Sequence, residues 1–215
     1  SSQVPRAIGT DNLLRPDEID WVIEGEDGPT PELPGTEATE VDRAVARHIA
    51  AELGDGACLQ IGIGGMPNAV CAMLLDAGLK GLGIHTEMLN DGLAELYRAG
   101  LVPGTGKTLE PGKITYTFAL GTKRLYETVQ DNPDFLCLPV DTTNDPAVIA
   151  RNDRVVAINN TTQVDLQGQA ASESDGHRHI SGTGGQLQFV RGAYASKGGK
   201  SFICLASTYE RKGIR

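Results

Sequence analysis

The sequence predicts an α/β fold, a mixed, largely parallel sheet with flanking helices. Short apolar runs alternate along the chain with stretches whose apolar residues recur at helical spacing, which is the pattern of repeated strand–helix units. A length of 215 residues lets one large domain bury a substantial core. No internal repeat interrupts the pattern, so neighbouring strands are expected to be joined by helical crossovers.

The elements follow in order. Residues 1–36 are rich in Pro, Asp and Gly and read as an N-terminal arm and connector, with a turn of helix expected over 18–23 and an extended link over 29–34. The remainder, 37–215, reads as the folded domain. Thr39 can pair with Asp42 as a capping-box variant, and Val41, Ala44, Val45, His48 and Ile49 then recur at helical spacing. His48 reads as a helix-face residue. Residues 57–61 form a mainly apolar strand that enters Gly62-Ile63-Gly64-Gly65-Met66-Pro67-Asn68, and Pro67 marks the start of a helix with Val70, Cys71, Met73, Leu74 and Leu75 on its apolar side. A strand over 82–86 follows, and Asn90-Asp91-Gly92 punctuates the way into a helix at 93–97. Strands at 113–119 and 135–138 enclose a helix at 123–129, the Asn144-Asp145-Pro146 turn opens a short helix through Ala150, and strands at 155–158 and 201–205 complete the series.

Composition excludes several classes of function. The net charge of −9 and the lack of a dense basic patch argue against nucleic-acid binding. No apolar run approaches the ~18 residues that span a bilayer, and the first residues carry no signal-peptide pattern. Cys58, Cys71, Cys137 and Cys204 are widely spaced in apolar runs without metal-ligand spacing, so buried free thiols of a reducing compartment, and a cytoplasmic location, are expected. His177 and His179 flank Arg178 in a polar loop with no further ligand at a supporting spacing, and no metal site is assigned.

The chemistry concentrates at two places. Glycines in the 62–65 loop can take positive φ and bring N–H groups close to a ligand, and the helix start behind them favours an anion. By itself the loop also reads as a bare turn; a dinucleotide fingerprint fails because Pro67 stands where a glycine belongs. Glu87 follows at the carboxyl end of the next strand, on the sheet edge where open α/β sheets bind ligands. Taken alone, Glu87 also reads as a helix cap or a solvated side chain. His85 shares its strand face; a structural hydrogen bond is the expected role, outside the catalytic set.

Six separated segments occur together: Glu37-Ala38-Thr39-Glu40-Val41-Asp42, the loop from Gly62, Gly83-Ile84-His85-Thr86-Glu87-Met88, Thr117-Phe118-Ala119-Leu120-Gly121-Thr122-Lys123, Asn144-Asp145-Pro146 and Ser181-Gly182-Thr183-Gly184-Gly185-Gln186. In that order they resemble the acetyl-CoA hydrolase/transferase family, and within it the 4-hydroxybutyrate and butyrate–acetate CoA-transferase type. The resemblance implies a NagB/RpiA/CoA-transferase-like fold. It makes Glu87 the nucleophile, gives Gly62, Ile63, Gly64, Gly65, Met66, Pro67 and Asn68 CoA contacts with the Ile63 N–H as an oxyanion donor, and gives Gly184 and Gly185 further CoA contacts.

The same resemblance implies CoA transfer between a short-chain acyl-CoA and a small carboxylic acid such as acetate, butyrate or 4-hydroxybutyrate, by ping-pong kinetics through a glutamyl-CoA thioester. CoA is then a substrate, and no permanently bound cofactor is expected. Members of the family carry an N-terminal domain before this region, so the chain is expected to be a fragment whose partner in the site is that domain. An acyl-CoA hydrolase and a non-catalytic CoA-binding fragment remain the alternatives. The sequence leaves the oligomeric state open; a homo-oligomer is compatible with it, since closed dimers are common. Arg191, Lys197 and Lys200 lie near the second glycine loop in sequence and are candidates for the CoA phosphates, against the reading of an ordinary solvated face.

Overall fold

A computed structural model describes residues 3–208. After a single 3-10 turn at Pro16–Glu18, the chain runs α1 (Glu40–Ala51), β1 (Cys58–Ile61), α2 (Gly65–Asp76), β2 (Gly83–His85), β3 (Met88–Leu89), α3 (Asp91–Arg98), β4 (Ile114–Tyr116) and β5 (Phe118–Ala119). It continues through α4 (Lys123–Val129), β6 (Phe135–Cys137), α5 (Val140–Thr143), α6 (Pro146–Ile149), β7 (Val155–Asn160), β8 (Gln163–Val164), β9 (Ala170–Ala171), α7 (Gln186–Ala195) and β10 (Lys200–Cys204). Six strands form one sheet in the order β10-β7-β1-β2-β4-β6. Every pairing in that sheet is parallel. Among the described residues, antiparallel pairing is confined to the β8–β9 hairpin and a Ser174–His179 bridge beside it.

Side-chain alternation explains the layers. On β7, Val156 and Ile158 join the larger apolar cluster, which also takes Ala46 and Ile49 of α1, Val70 and Leu74 of α2, and Leu93 and Leu96 of α3. Val155 and Ala157 point the other way, to a smaller cluster with Cys58, Ile149 of α6, and Phe189 and Ala193 of α7. The sheet is thus covered on both faces, as parallel sheets require. Strand order reverses between β1 and β7, where the chain first works outward to β6 and then returns to the other side of β1. The loops leaving β1 and β7 therefore border a crevice at the carboxyl edge.

The structure departs from the sequence reading at several points. The strand expected over 113–119 breaks at Thr117: its N–H and that of Phe118 both donate to the Glu87 carbonyl, at 2.9 and 3.1 Å, and the chain leaves the main sheet so that β5 pairs with β3. The helical turn expected over 18–23 lies earlier, where Pro16 presets the backbone and the Glu18 carboxylate accepts from the Arg15 N–H at 2.7 Å. Trp21, Val22 and Ile23 beyond it are exposed and irregular, with no core to fold against. Helix α2 begins at Gly65, two residues before Pro67. Helices α5 and α7 and the β8–β9 hairpin had no counterpart in the sequence reading. On α1 the Thr39–Asp42 capping box forms as expected, with Thr39 Oγ1 accepting from the Asp42 N–H at 3.1 Å. Val41, however, is exposed and Ala46 takes the buried position.

Candidate active site

Glu87 leaves β2 at the carboxyl edge. Extending the β1–β2 register, in which Leu59 stands opposite Ile84, brings Gly62 level with Glu87. Its backbone is tethered by the two N–H groups of Thr117 and Phe118. The side chain is half-buried and, among the described residues, has no hydrogen-bond or ion-pair partner. A carboxylate left without a neutralising cation keeps its lone pairs for chemistry.

The second glycine loop lies directly against it. A methyl group built on Gly185 would stand 2.0 Å from Glu87 Oε2 and 2.7 Å from Asn144 Nδ2, so only glycine lets the backbone come this near. Gly185 caps the N-terminus of α7, whose partial positive charge thereby faces the carboxylate. Gly184, at φ +54°, makes the preceding bend and is itself open to solvent. Asn144, at the C-terminus of α5, is buried, and its Oδ1 has no partner among the described residues. The sequence places Asn144 in a turn and in one of the six family-like segments, without a role of its own. Its position between two unrelated loops could not be read from spacing.

The first loop divides its work. Gly62 is committed to the scaffold: its N–H donates to the Ile158 carbonyl at 3.0 Å, and its carbonyl accepts from Asn90 Nδ2 at 2.9 Å. The Ile63 and Gly64 N–H groups have no acceptor among the described residues. Gly64 needs its glycine, because φ is +119°. Gly65 passes close to Asp42, where an added methyl would meet Oδ2 at 2.8 Å. Met66 and Pro67 are buried on the inner side of α2, and Asn68 Nδ2 donates to the Thr36 carbonyl of the arm at 3.1 Å. Met66 and Pro67 are turned to the scaffold, Asn68 reaches the arm at the cavity's border, and Ile63 and Gly64 present free backbone donors. A cavity of about 450 Å³ opens beside the loop, bordered by Leu33, Thr36, Ile63, Asn68, Asn90 and Leu120; Glu87 does not line it.

Other candidates fall elsewhere. Lys200 opens β10 at the amino edge and pairs with Glu52 at 2.7 Å, and the Lys197 carbonyl binds the Arg154 N–H just before β7, so both lie at the far edge from Glu87. Arg191 stands on the exposed side of α7. His177 and His179 are exposed in the loop where Asp175 holds Arg178. His85 is buried, with Nε2 at 2.8 Å from the Thr143 carbonyl, and burial pushes its pKa down to about 4 against the opposing effect of that bond. The four cysteines are free, and burial raises Cys58 to about 11 and Cys71 to about 12. Among the described residues no helix is long and apolar enough to cross a membrane.

The arrangement has counterparts in known proteins. The family model for the acetyl-CoA hydrolase/transferase C-terminal domain matches residues 121–214. The butyryl-CoA:acetate CoA-transferase of Anaerostipes caccae is 46% identical over 214 residues, covering 99% of this chain and 48% of that protein. The chain belongs to the acetyl-CoA hydrolase/transferase family. Within it, the 4-hydroxybutyrate coenzyme A transferase of Clostridium kluyveri is 45% identical over 97% of this chain and 48% of its own length. The crystal structure of RipA from Yersinia pestis superposes with a TM-score of 0.85 at 45% identity, covering 96% of this chain and 45% of that one. The chain spans about half the length of the family members it matches.

Proposed function

We propose that the intact protein is a CoA-transferase and that this chain supplies its nucleophile, Glu87. The observation that carries the reading is the approach of Gly185 to the Glu87 carboxylate, which sets an unpartnered nucleophile against the start of α7 and near the Asn144 amide. The names of the relatives support a short-chain acyl-CoA and a carboxylate such as acetate, butyrate or 4-hydroxybutyrate as the substrate class.

The carboxylate attacks the thioester carbonyl, the C–S bond breaks, and an acyl-glutamyl anhydride and CoA thiolate result. The thiolate then attacks the Glu87 carbonyl carbon, the anhydride C–O bond breaks, and a glutamyl-CoA thioester and the first carboxylate leave the step. A second carboxylate reverses both stages. No proton is consumed, so the site needs no His–Ser relay, and ping-pong kinetics follow. Each tetrahedral intermediate carries an oxyanion, for which the Ile63 and Gly64 N–H groups are the candidate donors; losing one such donor typically costs about 10²–10³ in rate. Contacts to the remote parts of CoA provide binding energy that orients the reacting carbon.

CoA enters and leaves as substrate in this reading, and no resident cofactor takes part. The N-terminal domain expected from the family completes the site and helps select the acid. Four free thiols suit a reducing compartment, and on that ground we assign the protein to the cytoplasm. The test is to incubate the full-length protein with acyl-CoA in the absence of acceptor, reduce with borohydride, and map the modified peptide by mass spectrometry. Modification at Glu87 is expected. Turnover without it refutes the mechanism, and thiol release that ignores added acetate points to hydrolysis instead.

A further inference from the structure

The Thr143-Asn144-Asp145-Pro146-Ala147 stretch leaves one buried carbonyl short of a donor. Thr143 ends α5 and is fully buried. Three residues on, Pro146 has no N–H to offer. Four residues on, the Ala147 N–H is taken by Asp145 Oδ1 at 2.8 Å, because Asp145 caps α6. A buried carbonyl without a partner is costly, and His85 Nε2 fills the gap at 2.8 Å.

The network behind His85 fixes which ring nitrogen carries the proton. The Leu109 N–H can only donate, so Asn152, which is fully buried, must turn Oδ1 toward it, and the two are 3.0 Å apart. The Asn152 amide nitrogen then faces His85 Nδ1 at 3.4 Å, which makes Nδ1 the acceptor and leaves the proton on Nε2. The remaining side chains hold this order in place. Ser196 Oγ donates to the Asn152 carbonyl at 2.6 Å and accepts from the Val155 N–H at 3.1 Å. Phe189 of α7, whose N–H donates to the Gly185 carbonyl at 3.1 Å, lies against the imidazole with ring centres 6.1 Å apart.

We propose that His85 is a positioning residue: its Nε2–H, held in that tautomer by Asn152, fixes Thr143 and so sets the Asn144 amide beside Gly185 and the Glu87 carboxylate. The inference rests on the reading of Glu87 as nucleophile. One imidazole thus ties the strand that carries Glu87 to the turn that carries Asn144, and it packs on the helix that Gly185 caps. Substrate never touches it.

The test compares His85→Gln with His85→Asn in the full-length protein. Glutamine carries its amide nitrogen to the position of Nε2 and can still donate to Thr143; asparagine reaches only the position of Nδ1. His85→Asn is expected to lower kcat on the order of 10², the cost of misplacing a reacting group by about 1 Å. Its KM for acyl-CoA stays unchanged, and His85→Gln restores most of the rate. Long-range ¹H–¹⁵N spectra of the wild type, which need no variant, are expected to show His85 protonated at Nε2 alone. A folded His85→Asn protein as fast as wild type, equal losses in both variants, or a proton on Nδ1 would overturn the proposal. Wild-type turnover with no adduct on Glu87 overturns the nucleophile reading instead, and the spectra then still decide the hydrogen-bond order.

Discussion

The two glycine loops that meet at the carboxyl edge are built in opposite ways. The first, from Gly62 to Gly65, is sewn into the sheet at Gly62 by Ile158 and Asn90 and continues into the buried start of α2. The second runs through residues 181–184 on the surface and is buried only at Gly185, where it meets Glu87. A glycine in the first loop is needed for the backbone path; Gly185 is needed for the space beside a reacting group. Substitutions should therefore separate fold from chemistry, and the two loops should respond differently.

Gly185→Ala gives the largest expected contrast. The added methyl falls 2.0 Å from Glu87 Oε2, at the far end of a flexible side chain, so the carboxylate swings away while the fold holds. Activity is expected to fall on the order of 10², the cost of misplacing a reacting atom by about 1 Å, with little change in melting temperature. Glu87→Asp draws the same oxygen back toward its own backbone, by one methylene, and should cost a similar factor. Gly182→Ala, where nothing lies within 4 Å, is the control and should change neither quantity. Steady-state kinetics beside thermal unfolding would check all three, and a Gly185→Ala protein with wild-type kcat would remove the close approach from the mechanism.

Gly64→Ala should reverse the balance. Its φ of +119° lies where L-residues are strained, and such strain costs about 1–3 kcal/mol. Gly184 also has positive φ, at +54°, in the left-handed helical region with open space around it, so an alanine there should cost only about 1–2 kcal/mol. Chemical denaturation is expected to rank Gly64→Ala as the more destabilising of the two. Equal midpoints would mean that the first loop is no more constrained than the second.

The same contrast explains what the sequence could reveal. Apolar runs such as 57–61 and 155–158 become strands because both faces of a parallel strand are covered, and that demand is written in consecutive residues. Thr39 and Asp42 likewise announce a cap locally. Helix α7 was not read, since Gln186–Ala195 is capped by a glycine without a side-chain bond and its buried residues are few. The break at Thr117 was hidden for a different reason: its cause is the Glu87 carbonyl, distant in sequence, which draws two N–H groups out of the main sheet. A strand end and a run of glycines mark Glu87 and the first loop locally, yet by themselves they read equally as a cap and a bare turn; the order of the six family-like segments is what singles Glu87 out. Asn144, Asn152 and the hydrogen bonds of His85 depend on which loops the topology brings together, and no spacing rule carries that.

The one effect that vanishes at neutral pH belongs to the scaffold beneath both loops. Burial lowers the pKa of His85 to about 4; the bond to Thr143 opposes that shift, while Lys107 adds to it and Glu110 opposes it. In the unfolded chain the imidazole returns to its ordinary value near 6.5. Above that pH both states are neutral and His85 contributes no pH dependence. As the pH falls from about 6.5 toward 4, the unfolded chain takes up a proton that the folded chain refuses, so stability declines by at most about 1.4 kcal/mol per pH unit from this group. The difference between wild type and His85→Gln isolates the imidazole from every other group. The two unfolding curves should converge as the pH drops through this window, because only the wild type loses stability to the uptake. Parallel curves from pH 7 to pH 4.5 would mean that His85 is protonated as readily in the folded protein as in the unfolded one, which a ring donating from Nε2 and accepting at Nδ1 does not allow.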